Sequence, residues 1–321
     1  LEKNLKTTKI QVSNIDNQKE FLDFGTITYT EKTRATIKVQ DGCNNFCSYC
    51  LIPYARGRIR SRRKESVLEE ITEIAKKGIK EVVITGIHIA SYGKDFEDNY
   101  KLIDLLEDIN KIDGIKRIRL GSLEPNVITQ EFVARLSKLD KMCNHFHLSL
   151  QSGCNDTLKR MNRKYKVEQI EESVNLLRAN FDDVVLTTDI IVGFPGESEE
   201  EFQTTYNLLE KIKLTKMHVF KYSPREGTRA AEMLNQIDGN IKEHRSQRLI
   251  ALSNNNEKEF LNNQVGKELE VLFEEKEGNY SKGHTSNYLV VKTEGENLEN
   301  IIKKVTINFV DEFILIGDSI D

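Results

Sequence analysis

Cys43, Cys47 and Cys50 stand in a CxxxCxxC spacing within the stretch DGCNNFCSYC. Three thiolates this close in sequence can converge from one loop on a single inorganic centre. An iron–sulfur cube is ordinarily held by four thiolates. Held by three, it leaves one iron open to a small molecule, and an open metal position serves chemistry rather than structure. Zinc is the rival, but a structural zinc would want a fourth Cys or His at a short spacing, and His88, Cys143 and His145 lie outside the loop. A disulfide, the third reading, would be strained across so short a loop and would leave an odd thiol.

The elements that must position these cysteines are legible as a period. From Ala35 to Ser223 short strand signals alternate with amphipathic helix signals. Strands are predicted at 35–40, 81–86, 116–122, 145–150, 185–193 and 216–223. Helices are predicted near 66–77, 100–110, 129–138, 167–180 and 199–212, several opened by Ser, Thr or Asn caps. Six β units joined by helical crossovers imply parallel pairing and right-handed connections. The fold class is therefore α/β, a partial six-stranded (β/α)6 barrel, followed by a small antiparallel β-barrel.

The working face of such a barrel lies at the strand C-termini. The cysteine loop then follows the first strand, Gly86 and His88 the second, and Ser122 and Glu124 the third. Ser149 and Gln151 follow the fourth strand, Asp189 to Gly196 the fifth, and Tyr222 to Arg225 the sixth. Glu124 precedes Pro125, which favours an extended backbone and sets its carboxylate at the mouth to accept from a ribose or an ammonium. Asp189 sits among apolar residues and needs either a basic partner or ligand hydroxyls. His145 and His147 share one face of HFHLSL and read as hydrogen-bonded packing residues rather than ligands.

The run PYARGRIRSRRK carries Arg56, Arg58, Arg60 and Arg62 with no acid among them. Arginine suits bidentate phosphate contact, so this is the expected RNA-facing element, the plainer reading being a loop with one or two anchoring salt bridges. A helical stretch at 241–264 leads to residues 265–321, whose period-two pattern and Gly/Asn turns predict the small barrel. That segment holds six Lys, no Arg and twelve acids. RNA contact there would fall to a local face, Tyr280 and Lys282 with His284 and Tyr288, where rings can stack on bases. Residues 1–32 are polar apart from one strand signal, FLDFGTITY, which gives domains at 1–32, 33–262 and 263–321. At 31% charged and 38% hydrophobic the composition is that of an ordinary soluble globule. No apolar run approaches the ~18 residues of a membrane span. Five cysteines without framework spacing suit a reducing compartment, so a cytoplasmic protein with no membrane partner is expected.

The run GCNNFCSYCLIPYARGRIRSR resembles the cluster loop of radical S-adenosylmethionine (SAM) enzymes, and among them the methylthiotransferases. TGIHIASYG, LSLQSGCNDTLKRMNRKY, DIIVGFPGES and VFKYSPREGTRAAEM are similar to later barrel motifs of that family, and the C-terminal barrel resembles its TRAM domain. GSLEP and HLSLQSGC look most like the branch acting on N6-threonylcarbamoyladenosine 37; sister branches act on N6-isopentenyladenosine 37 or on a ribosomal-protein aspartate. The resemblance implies a [4Fe-4S] cluster on Cys43, Cys47 and Cys50. It implies SAM held at the open iron and by Tyr49, Gly86, His88, Ser122, Glu124, Gln151 and Asp189. It further implies a tRNA anticodon stem-loop as substrate, radical chemistry, and an electron donor such as flavodoxin or ferredoxin. Family members also carry an N-terminal domain whose three cysteines hold a second, sulfur-delivering [4Fe-4S] cluster. Since no cysteine precedes Cys43, residues 1–32 read as the leader from that missing domain, where the second cluster is expected. An iron–sulfur RNA-binding redox sensor is the non-enzymatic alternative.

Overall fold

Alternating apolar strands and one-faced helices build a half-barrel around the strand ends that carry the cysteines. The computed structural model describes residues 18, 20–23, 25, 33–295 and 297–320. The leader at 1–32 lies mostly outside the described residues; of its predicted strand, residues 21–23 are irregular and most of the rest lies outside them. The barrel elements are β1 (Arg34–Asp41), α1 (Ile52–Arg56), β2 (Arg60–Ser61), α2 (Lys64–Lys76), β3 (Glu81–Gly86) and α3 (Leu102–Asn110). They continue as β4 (Arg117–Leu120), α4 (Gln130–Leu136), β5 (His145–Gln151), α5 (Asn155–Arg160), α6 (Val167–Asn180) and β6 (Val185–Val192). Then come α7 (Glu199–Ile212), β7 (Lys216–Lys221) and the long α8 (Gly239–Asn262).

The six predicted strands are β1, β3, β4, β5, β6 and β7. They form two parallel sheets, β1-β3-β4 and β5-β6-β7. Two single bridges, Ile118 with Met142 and Leu123 with Leu148, join β4 to β5. β1 and β7 do not pair, so the barrel is open. Each helix presents one apolar stripe to the strands: α2 buries Val67, Ile71 and Ile74, the i, i+4, i+7 spacing of one helical face. Helix starts follow local chemistry. On α7, Ser198 accepts from the Glu201 N–H at 3.2 Å while Glu201 accepts from the Ser198 N–H at 3.2 Å, a reciprocal capping box. Helix α8 covers the last strand, with Ser253 accepting from the Met217 N–H at 2.8 Å. Among the described residues no helix is long and apolar enough to cross a membrane.

The C-terminal strands are β8 (Glu268–Glu277), β9 (Tyr280–Thr285), β10 (Val290–Glu294), β11 (Ile302–Asp311) and β12 (Ile314–Ile320). They close a barrel in the order β10-β12-β11-β8-β9. This is the small antiparallel barrel expected from sequence, with one parallel seam between β10 and β12. An odd number of strands cannot alternate direction all the way round a closed ring.

This small barrel covers the N-terminal ends of the large barrel's strands, opposite the cysteines. Arg117 donates to the carbonyls of His284 (2.8 Å) and Glu270 (2.9 Å), and Arg119 donates to that of Ser286 (3.2 Å). Arg34 pairs with Glu274 at 2.9 Å. Tyr288 packs its ring against Arg119, Arg34, His145 and His284. His284 and Tyr288 are therefore interface residues, which corrects their reading as a base-stacking surface. Lys282 bonds both Glu275 and Glu277, so its charge is largely answered within the protein, whereas Tyr280 is exposed.

Glu81 is fully buried and bonds Arg119 at 2.7 Å, with Arg117 at 4.0 Å. Removing one member of such a set leaves uncompensated buried charge. Glu81→Ala should lower the unfolding free energy by about 3–5 kcal/mol, read from the urea midpoint, whereas surface Glu259→Ala should change it little.

Candidate active site

The cysteine loop leaves β1 through Gly42, whose φ is +70° and whose missing Cβ would lie 1.8 Å from the Arg58 carbonyl oxygen. Only glycine lets the chain turn there. Gln40 ties two loops together. Its amide nitrogen donates to the carbonyls of Asp41 (2.6 Å) and Gly42 (2.8 Å), and its oxygen accepts from the His88 N–H at 2.7 Å. From the other half-barrel, Asn162 donates to the Phe46 carbonyl at 2.7 Å and Ser48 to the Arg160 carbonyl at 2.8 Å. Phe46, left-handed at φ 51°, is held by that bond.

Each of the three sulfurs accepts a donor supplied by the fold. Cys43 accepts from the Asn45 N–H (3.5 Å), Cys50 from the Ile52 N–H (3.4 Å) and Cys47 from Arg163 Nη1 (3.2 Å). Donors aimed at sulfur suit thiolates that carry charge into a cluster. Burial raises the Cys43 and Cys50 thiols above their ordinary value, so metal binding there must displace protons. All three are free of disulfides. Among the described residues the only three such donors within 4.8 Å of one another are Cys154, Asp156 and Glu201. Cys43, Cys47 and Cys50 are therefore not all within that distance of one another.

Beside Cys43 and Cys47, Glu124 is buried and clamped. Its Oε1 accepts from Asn45 (2.7 Å) and forms an ion pair with Arg163 Nη2 at 2.8 Å, and its Oε2 lies 3.0 Å from His88 Nε2. Burial alone would raise this carboxyl; the His88 hydrogen bond, the Arg163 charge and the Asn45 bond outweigh it and hold it at about 2. The sequence reading set Glu124 at the mouth as a ligand acceptor. Its first task here is to join three loops. His88 also contacts Ser91 through Nδ1, so Nε2 carries the proton toward Glu124.

Beside Cys50 lies a cavity of about 280 Å³ lined by Tyr49, Gln151, Asp189, Phe220 and Arg225 among others. Asp189 meets His147 Nε2 at 3.2 Å, His147 Nδ1 meets Thr187 Oγ1 at 2.9 Å, and Thr187 meets His145 Nε2 at 3.4 Å. The carboxylate can only accept, so His147 donates from Nε2 and accepts from the Thr187 hydroxyl, which in turn accepts from His145. Burial and the Arg119 charge lower His145 to about 3, which keeps it neutral in that role.

The expected ligand residues thus gather in two groups, His88 and Glu124 near Cys43, and Tyr49, Gln151 and Asp189 near Cys50. Gly86 lies at neither: its missing Cβ faces the Gln40 carbonyl at 2.8 Å, so the close approach it permits is that of β1. Ser122 is exposed at the end of β4. Of the four arginines expected to face RNA, Arg56 and Arg58 are exposed near the cysteine loop. Arg60 and Arg62 are corrected to structural anchors: Arg60 donates to the carbonyls of Arg56 and Arg58, and Arg62 pairs with Glu70 and Asp23. Sequence reasoning missed Asn45, Asn162 and Arg163. Their signal lay in the quoted CNNFC and RMNRKY, where polar residues crowd the cysteines and the turn after α5.

A family model described as the Radical SAM superfamily matches residues 37–209. Threonylcarbamoyladenosine tRNA methylthiotransferase MtaB of Bacillus subtilis (strain 168) is 43% identical over 300 residues, 92% of this chain and 66% of that protein. The protein of the same name in Aquifex aeolicus (strain VF5) is 41% identical over 89% of this chain and 68% of its own length. The tRNA-2-methylthio-N(6)-dimethylallyladenosine synthase of Thermoanaerobacter sp. (strain X514) is 39% identical over 94% of this chain and 64% of that protein. The chain therefore spans about two thirds of the length of the curated relatives it matches. Among solved structures, the radical SAM methyltransferase TsrM from Kitasatospora setae, with cobalamin and [4Fe-4S] cluster bound, matches with a TM-score of 0.52 at 19% identity. That likeness covers 61% of this chain and 38% of that one and speaks to the fold alone.

Because Glu124 is held below its unfolded value of 4.5, at about 2, the stability it contributes is complete above pH ~4.5 and is lost as pH falls toward 2. The expected size is about 3 kcal/mol, read as the gap in urea-unfolding free energy between the native protein and Glu124→Gln, which should close across that window. Arg163→Met should reduce iron incorporation on anaerobic reconstitution more than Arg60→Met does, because it strips Cys47 of its donor and Glu124 of a charge.

Proposed function

We propose, from the premise that the chain belongs to the radical SAM superfamily and within it to the methylthiotransferases, that it carries out the SAM-cleaving step of tRNA methylthiolation. The observation that supports this most is the set of three thiols at the strand C-termini, each with a dedicated hydrogen-bond donor and no fourth ligand from the loop. A [4Fe-4S] cluster bound there supplies one-electron reduction of SAM at its open iron. The protein's part is binding and orientation. Arg163 and the two backbone N–H groups stabilise negative charge on the sulfurs, which is one lever on a cluster's potential. The Asn45–Glu124–His88 clamp holds the loop against β3 and β4. Asp189, turned into the cavity by His147, is left to accept hydroxyl donors such as those of a ribose. The small barrel closes the floor, which limits solvent entry from that end, as a reactive radical requires.

The substrate in this reading is adenosine 37 in the anticodon stem-loop of a tRNA, bearing N6-threonylcarbamoyl. The 43% identity to a protein named for that nucleoside supports it; the dimethylallyl nucleoside is the second reading, from the 39% relative. Exposed Arg56 and Arg58, with exposed Tyr54 on α1, give the mouth a cationic and aromatic edge suited to single-stranded RNA. An electron donor of the flavodoxin or ferredoxin kind, a second [4Fe-4S] cluster as sulfur source and a cytoplasmic setting complete the proposal. The two remaining cysteines, Cys143 and Cys154, are buried and do not hold that second cluster.

After anaerobic reconstitution the protein should carry about four iron atoms at this site and, with dithionite and SAM, release 5′-deoxyadenosine. Cys47→Ala should release none. Stoichiometric zinc at the loop, or no nucleoside fragment from the reconstituted protein, would overturn the assignment. Loss of the 2-methylthio mark from one modified adenosine upon gene deletion would identify the substrate.

A further inference from the structure

We infer that Arg225 is the receptor for an anionic substituent on the substrate nucleoside and makes the site selective for a carboxylate-bearing adenosine over one carrying a hydrocarbon group. The inference rests on the radical SAM reading above and deepens it at the point where the relatives divide.

Three charged side chains line the cavity beside Cys50: Asp189, Lys221 and Arg225. Asp189 already has a partner in His147 at 3.2 Å through one oxygen, and Lys221 one in Glu243 at 2.6 Å. Arg225 pairs with no carboxylate of the described residues and stands exposed at the edge of that cavity. Its backbone is not loose. The Arg225 carbonyl accepts from both the N–H (3.1 Å) and the hydroxyl (2.7 Å) of Thr228, which caps the short 3-10 turn Arg229–Ala231. Ala230 in that turn donates to the Ser48 carbonyl of the cysteine loop at 2.8 Å. The guanidinium is thus carried on a segment registered to Cys47 and Cys50, with its side chain left to reach for a ligand.

The two relatives' substrates differ in the group this cation would meet. A threonylcarbamoyl substituent ends in a carboxylate, which a planar guanidinium binds through two parallel N–H donors. A dimethylallyl substituent has no acceptor, and seating it against Arg225 would strip water from a charge with nothing in return. A site built around a charged partner rejects the ligand lacking it more strongly than an apolar site rejects extra bulk.

The test uses the reconstituted protein and three anticodon stem-loop RNAs that differ only at adenosine 37: threonylcarbamoyl, dimethylallyl and unmodified. The native protein should bind the threonylcarbamoyl RNA at least about tenfold more tightly than the other two. Arg225→Gln should erase that preference, and Arg225→Lys should keep part of it. Affinity for S-adenosylhomocysteine and for the unmodified RNA should not change in either variant. No preference in the native protein, or no measurable binding of the threonylcarbamoyl RNA, overturns the inference. So does equal weakening of all three RNAs, which would make Arg225 a phosphate contact, or weakened S-adenosylhomocysteine binding, which would assign it to the cofactor's carboxylate. SAM cleavage is scored separately: 5′-deoxyadenosine release with any of these negative results leaves the enzyme reading standing and removes only the specificity claim.

Discussion

The guanidinium of Arg163 is the contact on which the site depends. One arm donates to Cys47 Sγ at 3.2 Å, the other lies 2.8 Å from Glu124, and Nε meets the Tyr165 hydroxyl at 2.9 Å. The residue is almost wholly enclosed, yet its neighbours raise its affinity for the proton despite the burial that opposes it. A buried cation is costly unless its donors are all engaged, and here each engagement comes from a different element: the cysteine loop, the segment after β4, and the turn that follows α5. Charge compensation and geometry are therefore one constraint. A shift in any of the three segments leaves a buried charge unanswered, and this holds the sulfurs in place before any iron arrives.

The barrel's topology makes that convergence possible. The sheets β1-β3-β4 and β5-β6-β7 meet only through two bridges between β4 and β5, so backbone pairing alone does little to lock the halves. Side chains take over at the mouth, where Asn162 and Ser48 tie the cysteine loop to the second half while Gln40 ties it to the first. At the floor the small barrel performs the same service. Arg34, Arg117 and Arg119, on β1 and β4, reach Glu274, Glu270, Ser286 and His284, and Tyr288 spans from these arginines to His145 on β5. The small barrel thus clamps the end of the large barrel opposite the cysteines.

Much of this architecture was legible because period and punctuation agree. The helices at 167–180 and 199–212 match α6 and α7 to the residue, since Ser198 and Glu201 announce one start and an unbroken apolar stripe sets each length. The short elements α1, β2 and α5 were not legible, being too brief for a period to register. The arginine run shows the sharper limit. Composition marks six cations between Arg56 and Lys64 but cannot say that only part of the run joins the sheet, where β2 pairs with β1. That pairing turns Arg60 and Arg62 inward and leaves Arg56 and Arg58 outside. For the site, chemistry-bearing residues were recognisable by type, while the partners that define their roles come from segments more than a hundred residues away, as Arg163 does for Cys47.

The distribution of charge follows from the same division of labour. The C-terminal barrel carries twelve acids against six lysines, and Lys282 and Lys292 bond its own glutamates. It offers a polyanion little net attraction. The exposed cations near the cysteines, Arg56, Arg58, Arg63 and Arg229, sit on segments whose backbones are already tied to the loop. In the proposed reading, an RNA drawn by its phosphates meets these cations at the end of the molecule that carries the cysteines.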